Sequence, residues 1–340
     1  MPTAVTARPP ILVLTEPEIR ECVTLGPDLI DVIEDAFTRL ASGRATVPPI
    51  LGVEIPEQQG EVDVKAAYVH GLDHFAVKIA SGFYSNTARG LPTSSGLMVV
   101  ISTANGFPEA VLLDNGYLTT VRTAVAGAIA AKYLAPARVG TVGVVGAGLQ
   151  GRYQVRALQM VRSFDRVIVY DTSSQAVADY VSEMRALLDK DVTSAPDLAS
   201  MVQRADVVIC STPSRQPYLR AEWLHPGLHI TAMGADGPDK GELYPEVLAR
   251  ADRVVCDLKS QCFVRGELHH AHDAGLIAPE RVDELGELTS GRKRGRRSDS
   301  EITVCDLTGV GVQDTAIALV ARRKALERQL GVSLGGPARS

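Results

Sequence analysis

Between residues 141 and 305 the chain alternates short apolar runs with stretches of helical periodicity. The runs at 141–145, 166–170, 206–210, 228–232, 253–256 and 302–305 each suit one strand buried on both faces. Strands separated by helices in this manner predict a doubly wound parallel α/β sheet. The first third reads differently. A short strand is followed by a helix over Asp28–Leu40, with Leu29, Ile30, Ile33, Phe37 and Leu40 on one face. From Val47 to Val121 the pattern is short β-type segments between Gly, Pro and Asn turns: Val62–Val69, Phe75–Ile79, Gly96–Ser102 and Ala110–Leu113. An Ala-rich helix, Thr123–Leu134, stops before Pro136, and a last helix is expected over about Asp314–Leu330. The pattern therefore predicts an α/β fold of two parts. A Rossmann-type domain spans 133–311, and a discontinuous α+β domain spans 1–132 with 312–330. Residues 331–340 are expected to be a disordered tail.

The first strand of the parallel sheet carries the clearest chemistry. Val142-Gly143-Val144-Val145 runs into Gly146-Ala147-Gly148-Leu149-Gln150-Gly151, a G-x-G-x-x-G at the point where a helix starts. Gly146 permits the tight turn, Gly148 lets a pyrophosphate approach the backbone, and Gly151 lets helix and strand pack closely. The helix N-terminus offers unpaired N–H groups to phosphate. A second apolar run ends at Asp171, twenty residues after Gly151, where a carboxylate accepts from ribose hydroxyls and repels a 2′-phosphate. NAD rather than NADP is the expected cofactor.

Composition adds bounds. With 340 residues, 45% of them apolar, the chain can bury a large core, and a net charge of -5 gives no reason to expect nucleic acid or anionic membrane as a partner. Met1–Arg8 lacks a signal-peptide core and no apolar run approaches a membrane span, so a cytoplasmic protein is expected. The five scattered cysteines read as reduced thiols. The basic stretch Gly291–Arg297 reads as a solvated loop. His269 and His272 can share a helix face but lack an evident third ligand, so no metal site is expected.

Beyond these local readings, the run Gly234-Ala235-Asp236-Gly237-Pro238-Asp239-Lys240-Gly241-Glu242-Leu243 resembles the ornithine cyclodeaminase/mu-crystallin family. So do Lys78, Thr93, Leu112–Ala126, Gly146–Gly151 and Asp306–Asp314. Gly60–Tyr68 and Leu112–Leu118 further resemble its ectoine-utilisation branch, which implies a place in ectoine catabolism. The family resemblance implies a homodimer formed through the first domain, NAD(P) on the second, and a small amino- or imino-acid substrate between them. The implied chemistry is imine reduction, amino-acid oxidation, or cyclodeamination with recycled NAD. Alternatively, the chain is a non-catalytic small-ligand binder of the mu-crystallin type. Carried over by motif, Arg44, Lys78 and Arg122 hold the substrate α-carboxylate, and Asp236 exchanges a proton at the substrate nitrogen, with Lys78 as its catalytic companion. Thr93, Arg122, Leu149, Gln150, Asp171, Thr212, Met233, Gly234, Ala235 and Lys240 fall at cofactor-contacting positions beside the three glycines.

One position departs from the pattern. Ornithine cyclodeaminases carry a carboxylate thirteen residues before the lysine that matches Lys78, where it receives the distal ammonium of the substrate. This chain has Lys65 there. If Lys65 faces the ligand, ornithine and lysine are disfavoured, because like charges in a desolvated pocket cost several kcal/mol. About four cations would then face one ligand carboxylate and Asp236, which favours an anionic or polar side chain, as in a dicarboxylic imine such as iminosuccinate. If Lys65 points to solvent, that argument lapses.

Overall fold

The structure, a computed structural model, describes residues 8–335. The expectation of no leader at the N-terminus rests on residues 1–7, and that of a disordered tail partly on residues 336–340; both segments lie outside the described residues. The chain divides into two units. One contains the chain up to Thr24, Gly43–Arg122 and the chain from Val310 onward; the other contains Leu25–Ser42 and Thr123–Gly309.

The first unit is built on a mixed sheet. Its strands run in the order Val332–Leu334, Ile11–Thr15, Pro108–Leu113, Ser94–Ser102, His74–Phe83, Gly60–Val69 and Ala45–Thr46, with Leu51–Ile55 also pairing to Gly60–Val69. Val332–Leu334 is thus an edge strand, antiparallel to Ile11–Thr15, where the sequence reading expected disorder to begin. Its three residues are too few to show an alternation. Along the central strands one face carries Lys65, Ala67, Ala76, Lys78, Met98, Val100, Ala110 and Leu112, all buried. Helix Gly311–Arg328 packs against the three strands at 60–69, 74–83 and 94–102. Small residues bring it close: a Cβ on Gly311 would stand 2.5 Å from the Ala66 carbonyl oxygen. Thr315 then fixes the seating, its Oγ1 donating to the Ala67 carbonyl at 2.8 Å and accepting from Ala76 N–H at 3.0 Å. These backbone anchors set the rotation of the helix and so the position of its first-turn acid, Asp314.

The second unit is a parallel sheet in the order Asp191–Ser194, Arg166–Tyr170, Thr141–Val145, Val207–Cys210, His229–Ala232, Thr303–Asp306, Arg253–Cys256 and Val282–Glu284. Every pairing is parallel. Strand order reverses on either side of Thr141–Val145, which is the doubly wound arrangement with its ligand-binding switch point there. The six apolar runs all appear as strands; the short edges at 191–194 and 282–284 are additions, too brief and mixed in polarity to stand out. Helix Asp28–Ala41 belongs to this unit rather than to the first. Its apolar stripe lies against helix Leu285–Thr289, where Gly286 leaves no room for a side chain because a Cβ would stand 2.2 Å from the Phe37 carbonyl oxygen.

The basic stretch differs from expectation as well. Arg296 is half-buried and donates to the Leu134 carbonyl at 2.6 Å, the Leu228 carbonyl at 3.2 Å and Thr303 Oγ1 at 3.1 Å. Lys293 pairs with Asp283 at 2.6 Å and Glu287 at 3.0 Å. The stretch fastens helix and strand ends that would otherwise leave carbonyls unpaired. His269, His270 and His272 each bond a backbone carbonyl. All five cysteines are free and buried. Among the described residues no helix is long and apolar enough to cross a membrane.

Candidate functional site

Each unit gathers one set of the candidate residues. In the first, Lys65 and Lys78 are directly opposed in the register of neighbouring antiparallel strands, so both side chains leave the sheet on the same face. Both are buried, at 5% and 2% exposure. Arg122 lies within helix Tyr117–Leu134, which starts earlier than the Ala-rich run suggested; the sequence placed it just before the helix. The side chain that joins these cations is Asp314, fully buried. It pairs with Lys78 Nζ at 3.1 Å and accepts from Arg122 Nε at 2.9 Å. Arg122 also donates to Gln313 Oε1 at 3.3 Å.

Electrostatics follow from that packing. Burial, then the neighbouring Arg122 cation, pushes the Lys78 ammonium down to about 7 despite the pull of Asp314. Burial works against the Asp314 carboxylate, but Arg122, Lys78 and Lys65 together hold it below the ordinary range. Lys65 lies 3.9 Å from Asp63, a loose ion pair. The count of about four cations facing one ligand carboxylate therefore needs correction. Three cations of the expected set, Lys65, Lys78 and Arg122, are buried with Asp314 and Asp63 against them; they leave one positive charge when Lys78 is protonated and none once it loses its proton near 7. Arg44 stands apart: it precedes strand Ala45–Thr46, its side chain is exposed, and the structure does not bring it into an ion pair with the cluster's carboxylates. Thr93 sits just before strand Ser94–Ser102, half-buried, its carbonyl accepting from Phe83 N–H at 2.7 Å.

In the second unit the glycine loop has the geometry that its sequence requires. Gly146 has φ +99°, a region closed to most side chains. A Cβ on Gly151 would meet the Gly146 carbonyl at 2.3 Å, whereas the Cβ direction of Gly148 is open. Leu149 and Gln150 begin helix Leu149–Leu158, and Gln150 Oε1 is buried without a hydrogen-bond partner among the described residues. Asp171 accepts from Ala147 N–H at 2.8 Å and Ser173 N–H at 2.9 Å, which fixes both oxygens at the end of strand Arg166–Tyr170. A carboxylate offers about four acceptor sites, so capacity for ribose hydroxyls remains. An open glycine, a helix N-terminus and an oriented acid fit a dinucleotide.

Thr212, Met233, Gly234, Ala235 and Asp236 lie on the loops after strands Val207–Cys210 and His229–Ala232, and Glu242 ties those loops together. Fully buried, it accepts from Thr212 N–H at 2.7 Å, Thr212 Oγ1 at 2.8 Å, Tyr218 Oη at 2.7 Å and Gly234 N–H at 2.8 Å. Burial raises its carboxyl against these donors. Behind it Glu267 accepts from the N–H groups of Glu242 and Leu243 at 2.8 and 3.0 Å. The Asp236 side chain is 42% exposed and bonds Lys240 Nζ at 2.7 Å; Lys240, expected at a cofactor position, is buried beside it. Among the described residues no group of three His, Cys, Asp or Glu is placed to hold a metal ion.

Sequence reasoning missed Asp314 and Glu242 as site residues. Each stood inside a quoted motif; for Asp314 the usable signal was an acid in a segment otherwise poor in charge, whereas Glu242 stands among Asp236, Asp239 and Lys240 and carried no such signal.

The profile of the ornithine cyclodeaminase/mu-crystallin family matches residues 11–329. The chain is 45% identical to an uncharacterised cyclodeaminase of Sinorhizobium fredii over 325 residues, 95% of this chain and 98% of that protein. Among solved structures it resembles the Δ1-pyrroline-2-carboxylate reductase of Thermococcus litoralis in complex with NADH and L-proline. That match has 28% identity and a TM-score of 0.90, covering 95% of this chain and 99% of the other. It also resembles an archaeal alanine dehydrogenase dimer with bound NAD, at 35% identity and a TM-score of 0.88, covering 96% and 99%.

Proposed function

The chain belongs to the ornithine cyclodeaminase/mu-crystallin family, and from that premise we propose that it is an NAD-dependent oxidoreductase acting at the C–N bond of a small amino or imino acid. The favoured direction is reduction of an imino acid whose side chain is small, polar or anionic. The observation that carries this reading is the buried cluster of Lys65, Lys78 and Arg122 around Asp314, which sets cationic N–H donors where a carboxylate can be held.

When bound, NADH supplies the hydride. Gly146, Gly148, Gly151 and the start of the following helix would hold its pyrophosphate, and Asp171 its ribose. Arg122 and Lys78 bind the substrate carboxylate: Lys78 spends one N–H on Asp314 and keeps two, and Arg122 keeps donors beyond Nε. Asp236, held by Lys240 with its outer edge exposed, gives or takes a proton at the substrate nitrogen. Lys78, near 7, holds a second exchangeable proton at Nζ. Lys65 excludes a distal ammonium. Replacing Asp171 with serine removes the like-charge barrier to a 2′-phosphate. The NADP-to-NAD ratio of kcat/KM should rise, and a wild type that already prefers NADPH would defeat the assignment of Asp171.

The apolar outer face of the first unit's sheet, with Leu51, Val53, Ile79 and Leu113 each more than a third exposed, supports a homodimer formed there. The relatedness to a cyclodeaminase favours a second reading, ammonia release from a diamino acid. Purified protein should be screened against 2-imino acids with NADH and against ornithine with catalytic NAD, recording absorbance and ammonia. Oxidation of NADH without steady ammonia from ornithine is expected; steady proline and ammonia would overturn the reductase reading. In the same screen Lys65→Glu should weaken binding of an anionic imino acid by about 2 kcal/mol or more if the pair is desolvated. It should also widen tolerance for diamino acids. An unchanged profile would remove Lys65 from specificity.

A further inference from the structure

Asp114 is a buried carboxylate that none of the roles above uses. It is 1% exposed and sits three residues before helix Tyr117–Leu134, whose first turn also leads to Arg122. Its Oδ2 accepts from Leu118 N–H at 2.7 Å, whereas its Oδ1 has no hydrogen-bond partner among the described residues. Strand register brings it to the cluster: Leu112, two residues before it, opposes Met98, and Met98 opposes Lys78, the charged group that acts on Asp114; Asn115 beside it turns away to Glu16 at 2.9 Å. A buried acceptor without a donor costs about 1–3 kcal/mol, so an unpaired Oδ1 at a cation cluster marks a place where a ligand completes the bonding.

We propose that Asp114 is a ligand-binding carboxyl of this cluster: it takes up a proton at Oδ1 when an anionic ligand binds Lys78 and Arg122, and then donates that proton's hydrogen bond to the ligand. The inference rests on the reading that the cluster receives a carboxylate. In the step an O–H bond forms on Asp114 with a proton from solvent, and no electrons are transferred. Two physical facts favour it. Burial already lifts the Asp114 carboxyl to about 6, against the backbone N–H groups of Leu118 and Gly116 and the Lys78 cation. An arriving carboxylate lifts it further, since like charges in one site cannot both stay ionised. Protonation turns the orphan acceptor into a donor of the kind the ligand needs.

Asp114→Asn isolates this role, because asparagine caps a helix as well as aspartate but carries no titrating charge. The full chain with saturating NADH would be titrated with pyruvate, an α-oxo acid shaped like a small imino acid, between pH 5.5 and 7. Wild-type affinity should fall about tenfold across this range, one decade for each pH unit above the free carboxyl's midpoint. The variant should keep only the shallow slope that Lys78 contributes near pH 7 and bind pyruvate several-fold more tightly than wild type at pH 7, whereas loss of a merely structural acid would weaken binding. Asp114→Ser, another capping residue, should behave alike if the asparagine form folds poorly. Equal pH slopes in wild type and variant, or weaker binding by the variant, would overturn the assignment of Asp114 alone. Failure of both proteins to bind pyruvate would overturn it together with the carboxylate-site reading.

Discussion

Asp314→Asn should destabilise the protein by about 3–5 kcal/mol at pH 7, the range for removing one partner of a buried ion pair. Asp314 is fully buried and meets two cations, Lys78 at 3.1 Å and Arg122 at 2.9 Å. Asparagine can still accept from Arg122 Nε but leaves that guanidinium, and the protonated fraction of Lys78, without this anion. The pH dependence has a definite sign. Asp314 has a lowered carboxyl pKa, so its contribution is present above the ordinary carboxylate range and disappears as pH falls through the folded-state value. The gap between wild type and variant should therefore close in acid. Adding Lys78→Met should recover part of the loss, because an apolar replacement removes a buried charge rather than stranding it. Denaturant midpoints of the single and double variants measure this. A single variant as stable as wild type would show that the cluster is solvated, and its reading as a desolvated carboxylate site would fail with it.

Asp236→Asn should lower turnover by about 10²–10⁴-fold, the usual span for a lost general acid or base. NADH affinity should stay close to wild type. Asp236 bonds Lys240 Nζ at 2.7 Å, and an amide oxygen keeps that bond, so the loop should remain in place while its proton chemistry is lost. Turnover and NADH binding measured on one preparation separate the two effects. Turnover near wild type would take Asp236 out of the chemistry, and a parallel loss of NADH binding would make it a loop anchor instead.

The parallel sheet was legible in the sequence because its strands are covered on both faces and therefore read as unbroken apolar runs. The glycine loop was legible because backbone sterics leave few residue choices: φ +99° at Gly146 and a 2.3 Å approach at Gly151 admit glycine almost alone. Asp171 followed because it ends the second of those runs. What lay beyond the sequence depends on partners distant along the chain. Asp314 is 192 residues from Arg122 and meets it because Thr315 docks on the backbone of Ala67 and Ala76, a hydrogen-bond match that no periodicity announces. Helix Asp28–Ala41 carries an apolar stripe that would suit either unit; the gap left by Gly286 decides where it packs. The basic run 291–297 was read as solvated because cations usually are, and it is held instead by carbonyls and acids that only the fold gathers. The same holds for Lys65. Its residue type set the expectation that a distal ammonium is disfavoured if it faces the ligand, but its burial and its register opposite Lys78 come from the pairing of two strands, and the anions that temper its charge come from Asp63 and Asp314. Residue type and local sterics are carried by the chain itself, whereas charge balance is a sum over neighbours, and only the tertiary structure determines which neighbours enter it.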